Sequence, residues 1–252
     1  MNNLRLLVRQ MRYENRAFWR NPAAAFFTFA FPLIFMVIFN VIFGAQFGGS
    51  GFTAGEFFTP AIVAFSIVNA CYTNLAMSVA IVRDEGILKR IHGSPLPTGL
   101  YLLARVGLSV LLGLLLVLLV TAFGYLAYHV PLPIGQLPAL LLVLLLGCTC
   151  FCALGLAVSG LIPNAQAAPA VVNATILPLL FISDVFVQID NSSFLATIAS
   201  VFPIRHFAIA LQSVYVPALS GPLSLIDLAW LVGWATIGLG LALRTFTWEP
   251  RK

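Results

Sequence analysis

Six long apolar runs divide this chain, and each is close to the length that a helix needs to cross a membrane. A crossing takes about 20 apolar residues for a hydrocarbon core of about 30 Å. With 61% hydrophobic and 8% charged residues, the chain could not supply the polar surface of a water-soluble domain. We therefore expect an all-α polytopic membrane protein with six transmembrane helices. The predicted spans are about 23–43, 57–82, 101–128, 138–162, 168–187 and 224–243.

The basic residues fix the expected orientation. One side of the predicted membrane holds the N-terminal segment, the 83–100 loop, the 163–167 loop and the C-terminal tail. Together with Arg105, these hold twelve of the thirteen Lys and Arg residues, and only Arg205 falls on the other side. The positive-inside rule places both termini in the cytoplasm. Little Lys beside abundant Ala, Leu, Arg and Gly is typical of a GC-rich bacterium, so we expect a multi-pass protein of the bacterial inner (cytoplasmic) membrane.

The first 22 residues predict a helix that lies on the inner membrane surface. At about 100° per residue, the five arginines fall within an arc of about 80°. Such a stripe suits anionic headgroups, with the lipid bilayer as the partner. The alternative is a basic flank that only fixes topology. Residues 1–22 thus form a predicted interfacial helix and 23–252 the six-helix transmembrane domain; the arginines are Arg5, Arg9, Arg12, Arg16 and Arg20.

Residues 194–216 pose an ambiguity between a seventh span and a hairpin. Pro203, Arg205 and His206 lie at the centre of this segment. An Arg at the centre of a spanning helix costs about 2.5–3.5 kcal/mol. Two short apolar arms around a polar hinge instead predict a re-entrant helical hairpin on the outer side, over about 191–217, between spans five and six.

A dense charged island follows the second span, "VRDEGILKRIHGSP" at 82–95. Its pattern predicts a short amphipathic helix over about 83–95, with Ile87, Leu88 and Ile91 on one face and a charged rim around them. Such a helix is suited to dock on another surface. The alternative is a solvated loop that lies on the membrane.

The sequence contains no recognisable active site. There is no G-x-x-x-x-G-K-[ST] phosphate loop, no H-E-x-x-H and no G-x-S-x-G. Cys148, Cys150 and Cys152 alternate at two-residue steps, which on a helix does not bring three thiols to one side, so no metal site is expected. We expect neither enzymatic activity nor a nucleic-acid partner.

The island resembles a known family. The stretch 82–105 is similar to the E-x-G-T-L-[ED]-R-L-x-x-[ST]-P segment of the membrane subunits of ABC-2 type exporters, which include daunorubicin-type drug-resistance permeases. Ile87 and Lys89 depart from that pattern, and "FPIRHFAIALQ" at 202–212 is similar to the family's L-P-x-x-[YH]-x-x-x-x-[LM]-[RQ]. The matching residues of the island are Glu85, Gly86, Leu88, Arg90, Ser94 and Pro95.

The resemblance implies a permease subunit that pairs with a second permease, the same or a related chain, and with two separate ATPase subunits. ATP and Mg would be bound by the ATPase, and this chain would bind no cofactor. Drug or antibiotic efflux is the function expected; export of a lipid or glycan carrier is the alternative, and an ATP-independent channel or secondary carrier is the alternative from another class. The implied contacts with the ATPase subunit are Arg83, Asp84, Glu85, Gly86, Leu88, Lys89, Arg90 and Pro95.

Two groups of residues are candidates for a substrate path. An aromatic ridge in the first span includes Phe31, Phe35 and Phe39 at steps of four. It is also compatible with a lipid-facing or packed surface. In the second span, an α-helix would place Ser66, Asn69 and Thr73 on one face. Hydrogen bonding between helices explains these three as well as a polar lining does.

Overall fold

The computed structural model describes residues 3–47, 51–93, 97–183, 185 and 194–247. All of the regular secondary structure in these ranges is helical. The α-helices are α1 (Asn3–Trp19), α2 (Pro22–Phe43), α3 (Ala54–Val68), α4 (Leu75–Asp84), α5 (Ile87–His92), α6 (Thr98–Tyr128), α7 (Leu137–Leu161), α8 (Ala168–Phe181), α9 (Phe194–Ala199), α10 (Pro203–Tyr215), α11 (Pro217–Ser220) and α12 (Leu225–Thr245). Short 3-10 helices cover Gly44–Phe47 and Ile134–Gln136, and a π-helix covers Asn69–Asn74.

Five helical segments of the described chain are long and apolar enough to cross a membrane, which confirms an all-α polytopic membrane protein. The predicted fifth span, 168–187, is represented by the shorter α8. Its 14 residues rise about 21 Å, less than a hydrocarbon core of about 30 Å. Positions 184 and 186–187 lie outside the described residues. The five segments are Ala25–Phe43, Ala54–Asp84, Gly99–Tyr128, Ile134–Leu161 and Leu225–Thr245.

The second span forms the centre of the molecule. It runs continuously from α3 through the π-helix into α4, and nearly all of α3 is buried. A capping box opens it, in which Thr53 and Glu56 satisfy each other's main-chain N–H groups. α7 crosses the π-helix at Gly155, where a Cβ atom would lie only 3.0 Å from the carbonyl oxygens of Cys71 and Tyr72. The glycine therefore permits this close helix crossing.

The N-terminal helix α1 packs on the first half of α6. The Met11 side chain fills the space beside Gly107, and Glu14 lies 3.3 Å from the Arg105 guanidinium. The Trp19 and Phe29 rings stack at 5.5 Å, which holds the end of α1 against α2. The five arginines of the predicted interfacial stripe are all exposed. The hydrogen bond and charge of the Arg9 guanidinium lower the pKa of the neighbouring Tyr13. Membrane binding by this surface stays a prediction.

A helical hairpin precedes the last span. α9 and α10 form its arms, and residues 200–202 form its tip. The Trp234 indole donates a hydrogen bond of 2.8 Å to the Val201 carbonyl oxygen. Trp234 is nine residues beyond Leu225, or about 14 Å along α12. The tip thus lies alongside the last span. Re-entry of the hairpin into the membrane from the outer side stays a prediction.

Candidate functional site

The charged island forms a turn and a short helix at the end of the second span. α4 ends at Asp84, and Gly86 then adopts a left-handed conformation with φ +72°, which starts α5 in a new direction. A Cβ atom at Gly86 would meet nothing within 4 Å. The glycine is therefore required by the backbone conformation and not by close packing within the described chain.

The first two charges of the island face inward. The Arg83 side chain is only 1% exposed. Its guanidinium donates to the carbonyl oxygens of Ser159, at 2.8 Å, and Ile162. The neighbouring carboxylate of Asp84 accepts a hydrogen bond of 2.9 Å from the main-chain N–H of Ala165. Within the chain, both residues hold the end of α4 to the end of α7 and to the loop between α7 and α8. Their predicted contact with an ATPase subunit stays a prediction.

The remaining charges form the exposed part of the island. Glu85, Lys89 and Arg90 are exposed, whereas Leu88 is fully buried within the chain itself. The apolar face of α5, which the sequence suggested for docking, is thus partly used by the protein's own packing. We call the segment from Glu85 to Arg90 the coupling segment. Pro95, at the end of the predicted helix, lies outside the described residues.

The polar residues of the hairpin have hydrogen-bond partners in the hairpin itself or in the adjacent α12. An Arg205 guanidinium nitrogen donates to the carbonyl oxygen of Ala196 at 2.6 Å, across the two arms. His206 Nδ1 lies 2.6 Å from Asp227 Oδ1, and its ring stacks on Trp230 at 5.1 Å. Pro203 begins α10, where its missing N–H costs nothing. The pairing with Asp227 leaves no local signal in the sequence, because the two residues are 21 positions apart.

The geometry around His206 fixes how many protons the pair shares. Nε2 lies 2.8 Å from the Ser200 carbonyl oxygen, which only accepts, so Nε2 must carry a proton. The short contact between Nδ1 and the Asp227 carboxyl then needs a second proton between them. The imidazole and carboxyl groups together hold two protons and form a net neutral link between the hairpin and α12.

Two of the three predicted path residues in the aromatic ridge of α2 pack against α3, and the third is exposed. Phe35 packs edge-on against Phe65 at 5.7 Å, and Phe39 stacks on Phe58 at 5.2 Å, so both attach α2 to α3. Phe31 is exposed. These contacts agree with a packed surface. A role for the ridge in a substrate path stays a prediction.

The three polar residues of the second span do not form one lining. The Ser66 hydroxyl is buried and donates to the Ile62 carbonyl oxygen within its own helix. Asn69 and Thr73 are half-buried and belong to the π-helix. The wider turn of a π-helix moves them away from the face that an α-helix would give them. A path along these residues also stays a prediction.

Among the cavities between the described residues, two are lined by several helices of the bundle, and none of the six predicted path residues lines either of these two. One, of about 670 Å³, lies between α6, α7 and α12 and is walled mainly by leucines. The other, of about 290 Å³, lies between α7, α8, α12 and the hairpin tip. Both are assembled from side chains far apart in sequence, so no local motif indicates them.

Within the described ranges, no group of three His, Cys, Asp or Glu side chains is placed to hold a metal ion. Cys71, Cys148, Cys150 and Cys152 are buried and unbridged. Cys71, Cys148 and Cys152 belong to one cluster of buried residues. The thiols thus join the second span to α7 as packing residues.

A family model described as ABC-2 type transporter matches residues 5–216. The match begins in α1 and ends just after α10, so it includes the coupling segment and the whole hairpin. A comparison with curated proteins finds no match.

Proposed function

The chain belongs to the ABC-2 type transporter family, and we propose that this membrane permease subunit exports apolar drugs or antibiotics, driven by ATP that a separate subunit hydrolyses. Membership makes the chain a permease component of an ABC transporter. The direction of transport, the substrate class and the identities of the partner subunits are the proposed part.

The observation that carries the proposal is the coupling segment. Glu85 is exposed in the turn after α4, and Lys89 and Arg90 are exposed on α5, beyond the apolar part of the second span. Charges of both signs on such a turn and short helix can form specific contacts with a complementary protein surface. A loop that only separates two spans would not need a left-handed turn and a second helix. The segment therefore suits an ATPase subunit docked beneath the membrane domain.

Arg83 and Asp84 provide a route from the coupling segment into the membrane. They hold the end of α4 to the loop between α7 and α8 through three hydrogen bonds. A displacement of the coupling segment would consequently move the second span, α7 and α8 together. Each bond involves a charged side chain and a main-chain group, which makes the link stronger than one between neutral groups.

The proposed location is the bacterial inner membrane, with both termini and the coupling segment in the cytoplasm. The exposed arginines of α1 support this orientation, because they suit anionic headgroups of the inner leaflet. The hairpin then enters from the outer side.

We propose a second permease subunit, a copy of this chain, against the exposed face of α8. The helix buries only the stripe Ala168, Val172, Ile176 and Leu180. Asn173 lies on the exposed side, and an amide in contact with lipid tails would lack hydrogen-bond partners. A second copy of α8 would cover it. Cross-linking of an Asn173→Cys variant should give a dimer that Leu225→Cys, at the start of α12, does not give.

The lining of the larger cavity supports the proposal that the substrates are apolar. The cavity between α6, α7 and α12 has few polar side chains, among them Thr149 and Thr236. Recognition of a glycan headgroup would call for more donors and acceptors. A drug-like apolar compound fits this chemistry better.

The test begins with purification of the tagged chain from its own membranes and identification of any ATPase that accompanies it. The reconstituted complex with Glu85→Lys should then lose the ATPase subunit or lose substrate-stimulated hydrolysis. Arg244→Glu reverses an exposed charge at the end of α12 and should retain both. Substrate transport without any ATPase, or an unchanged Glu85→Lys complex, would overturn the proposal and favour an ATP-independent carrier.

A further inference from the structure

The cavity of about 290 Å³ beside the hairpin tip is bounded by five elements. α8 packs mainly on α4 and the π-helix, whereas α12 packs on α7 and α10. The cavity occupies the space left between α8 and α12. Its lining includes Phe202 of the hairpin tip, Pro203 and Ile204 at the start of α10, Leu161 of α7 and Thr245 of α12.

The walls of this cavity are almost entirely apolar, and aromatic rings contribute much of them. Phe151 lies on one side, and Phe202 and Trp234 stack on each other at 6.0 Å on another. Two polar groups in the wall, one N–H and one hydroxyl, already donate hydrogen bonds to main-chain oxygens. The Trp234 indole donates to Val201, and the Thr245 hydroxyl donates to main-chain oxygens of α7 and α12.

The third polar feature is a pair of hydroxyl groups. Tyr72 of the π-helix and Thr175 of α8 both line the cavity, with their oxygens 2.6 Å apart. The Thr175 hydroxyl also lies 2.8 Å from the Val172 carbonyl oxygen and 3.1 Å from that of Val171. Carbonyl oxygens only accept, so the one proton of Thr175 is directed to its own helix.

It follows that the Tyr72 proton forms the bond between the two hydroxyls. The phenolic oxygen of Tyr72 then keeps its lone pairs, and no donor among the described residues reaches it. Tyr72 is only 5% exposed, and the side chains around it in the cavity wall are almost all apolar. The cavity thus combines aromatic side chains in its wall with one hydroxyl oxygen that can still accept a hydrogen bond.

We propose that this cavity binds a compact, largely aromatic molecule that carries a single hydrogen-bond donor, a hydroxyl or an N–H, directed at the Tyr72 oxygen. An acceptor-only molecule of the same shape would place its lone pairs against those of Tyr72. Binding needs neither ATP nor a partner subunit, so this inference goes beyond the proposed transport function and can fail independently of it.

The test uses the full chain in detergent micelles with Trp234 as the only tryptophan, after Trp19, Trp230 and Trp248 are replaced by Phe. Bromine quenches indole fluorescence on contact. The probes are 6-bromo-2-naphthol, which carries one donor, and 2-bromo-6-methoxynaphthalene, which carries none. We expect saturable quenching by the naphthol and about threefold to tenfold weaker binding of the ether, as for the loss of one hydrogen bond.

Two variants separate the proposal from a general change in packing. Tyr72→Phe removes the acceptor and should abolish the preference for the naphthol. Thr175→Val releases the Tyr72 proton, so the methoxy probe should gain affinity. The matched control is Tyr215→Phe, since Tyr215 forms the same kind of pair with Thr121 at 2.6 Å but does not line this cavity; it should leave both affinities unchanged.

Equal affinity of the two probes for the parent protein would overturn the proposal, as would quenching that rises linearly without saturation. A naphthol preference that survives in Tyr72→Phe would also overturn it, because another group would then supply the acceptor.

Discussion

The guanidinium of Arg83 lies 2.8 Å from the main-chain oxygen of Ser159, so a buried cation at the end of the second span meets the last turn of α7. Carbonyl groups at the C-terminal end of a helix carry partial negative charge, which an arginine offsets. The hydrogen bond thus adds a polar link to the packed contact between α4 and α7.

Replacement of Arg83 by Met should destabilise the protein by about 1–3 kcal/mol, because buried carbonyl oxygens lose their donor. Thermal unfolding of the detergent-solubilised protein measures the effect. Lys89→Met, which removes an exposed charge from the same island, is the control and should unfold near the parent temperature. Equal unfolding temperatures for the two variants would contradict the anchoring role of Arg83.

The left-handed turn at Gly86 predicts how strongly different substitutions there destabilise the protein. Gly86→Ala should cost about 1–2 kcal/mol, since an L side chain is disfavoured at positive φ, and Gly86→Asn should cost less. Gly93 has φ −81° and only ordinary contacts around its Cβ position, so Gly93→Ala should be nearly neutral. Unfolding temperature and recovery of the ATPase subunit report on both. A Gly86→Ala protein that matches Gly93→Ala would exclude a conformational requirement.

The proposed orientation can be tested with an impermeant thiol reagent on intact cells. In a chain without Cys71, Cys148, Cys150 and Cys152, a cysteine at Gly135 should be labelled. Cysteines at Arg5 and Lys89 should react only after the cells are opened. Labelling of Lys89→Cys in intact cells would contradict this orientation, because it would place the coupling segment outside the cell.

The His206–Asp227 pair should show a coupling energy in a double-mutant cycle. Each alanine variant leaves a buried polar partner, so the two losses should not add, with a coupling of about 0.5–3 kcal/mol. The readout is thermal stability of the purified chain at neutral pH. A parallel cycle of His206→Ala with Glu14→Gln on α1 should be additive. Additivity in both cycles would mean that the 2.6 Å contact contributes nothing measurable.

The spans could be predicted because a hydrocarbon core accepts few charges, so long apolar runs locate the crossings. The prediction was least accurate at the fifth span. There the apolar composition continues beyond Phe181, but the α-helix ends, with Pro178 inside its last turn. Hydropathy measures transfer into lipid and does not report where helical hydrogen bonding stops.

The roles of individual charges could not be predicted in the same way. The sequence of the island gives five charges but does not distinguish the buried Arg83 from the exposed Arg90. The partners of Arg83 and Asp84 are main-chain groups of residues about 80 positions away. Main-chain partners have no residue type, and hence no sequence pattern reveals them. For the same reason, the cavity acceptor at Tyr72 becomes visible only when protons are assigned in three dimensions.

The π-helix at Asn69–Asn74 has a consequence for chain length. Its hydrogen bonds enclose one residue more than those of an α-helix, so the second span contains an extra residue between Val68 and Leu75. Deletion of one residue there would restore regular α-helical spacing and leave α3 and α4 in register. A relative that lacks the π-turn should therefore be shorter by one position in this interval.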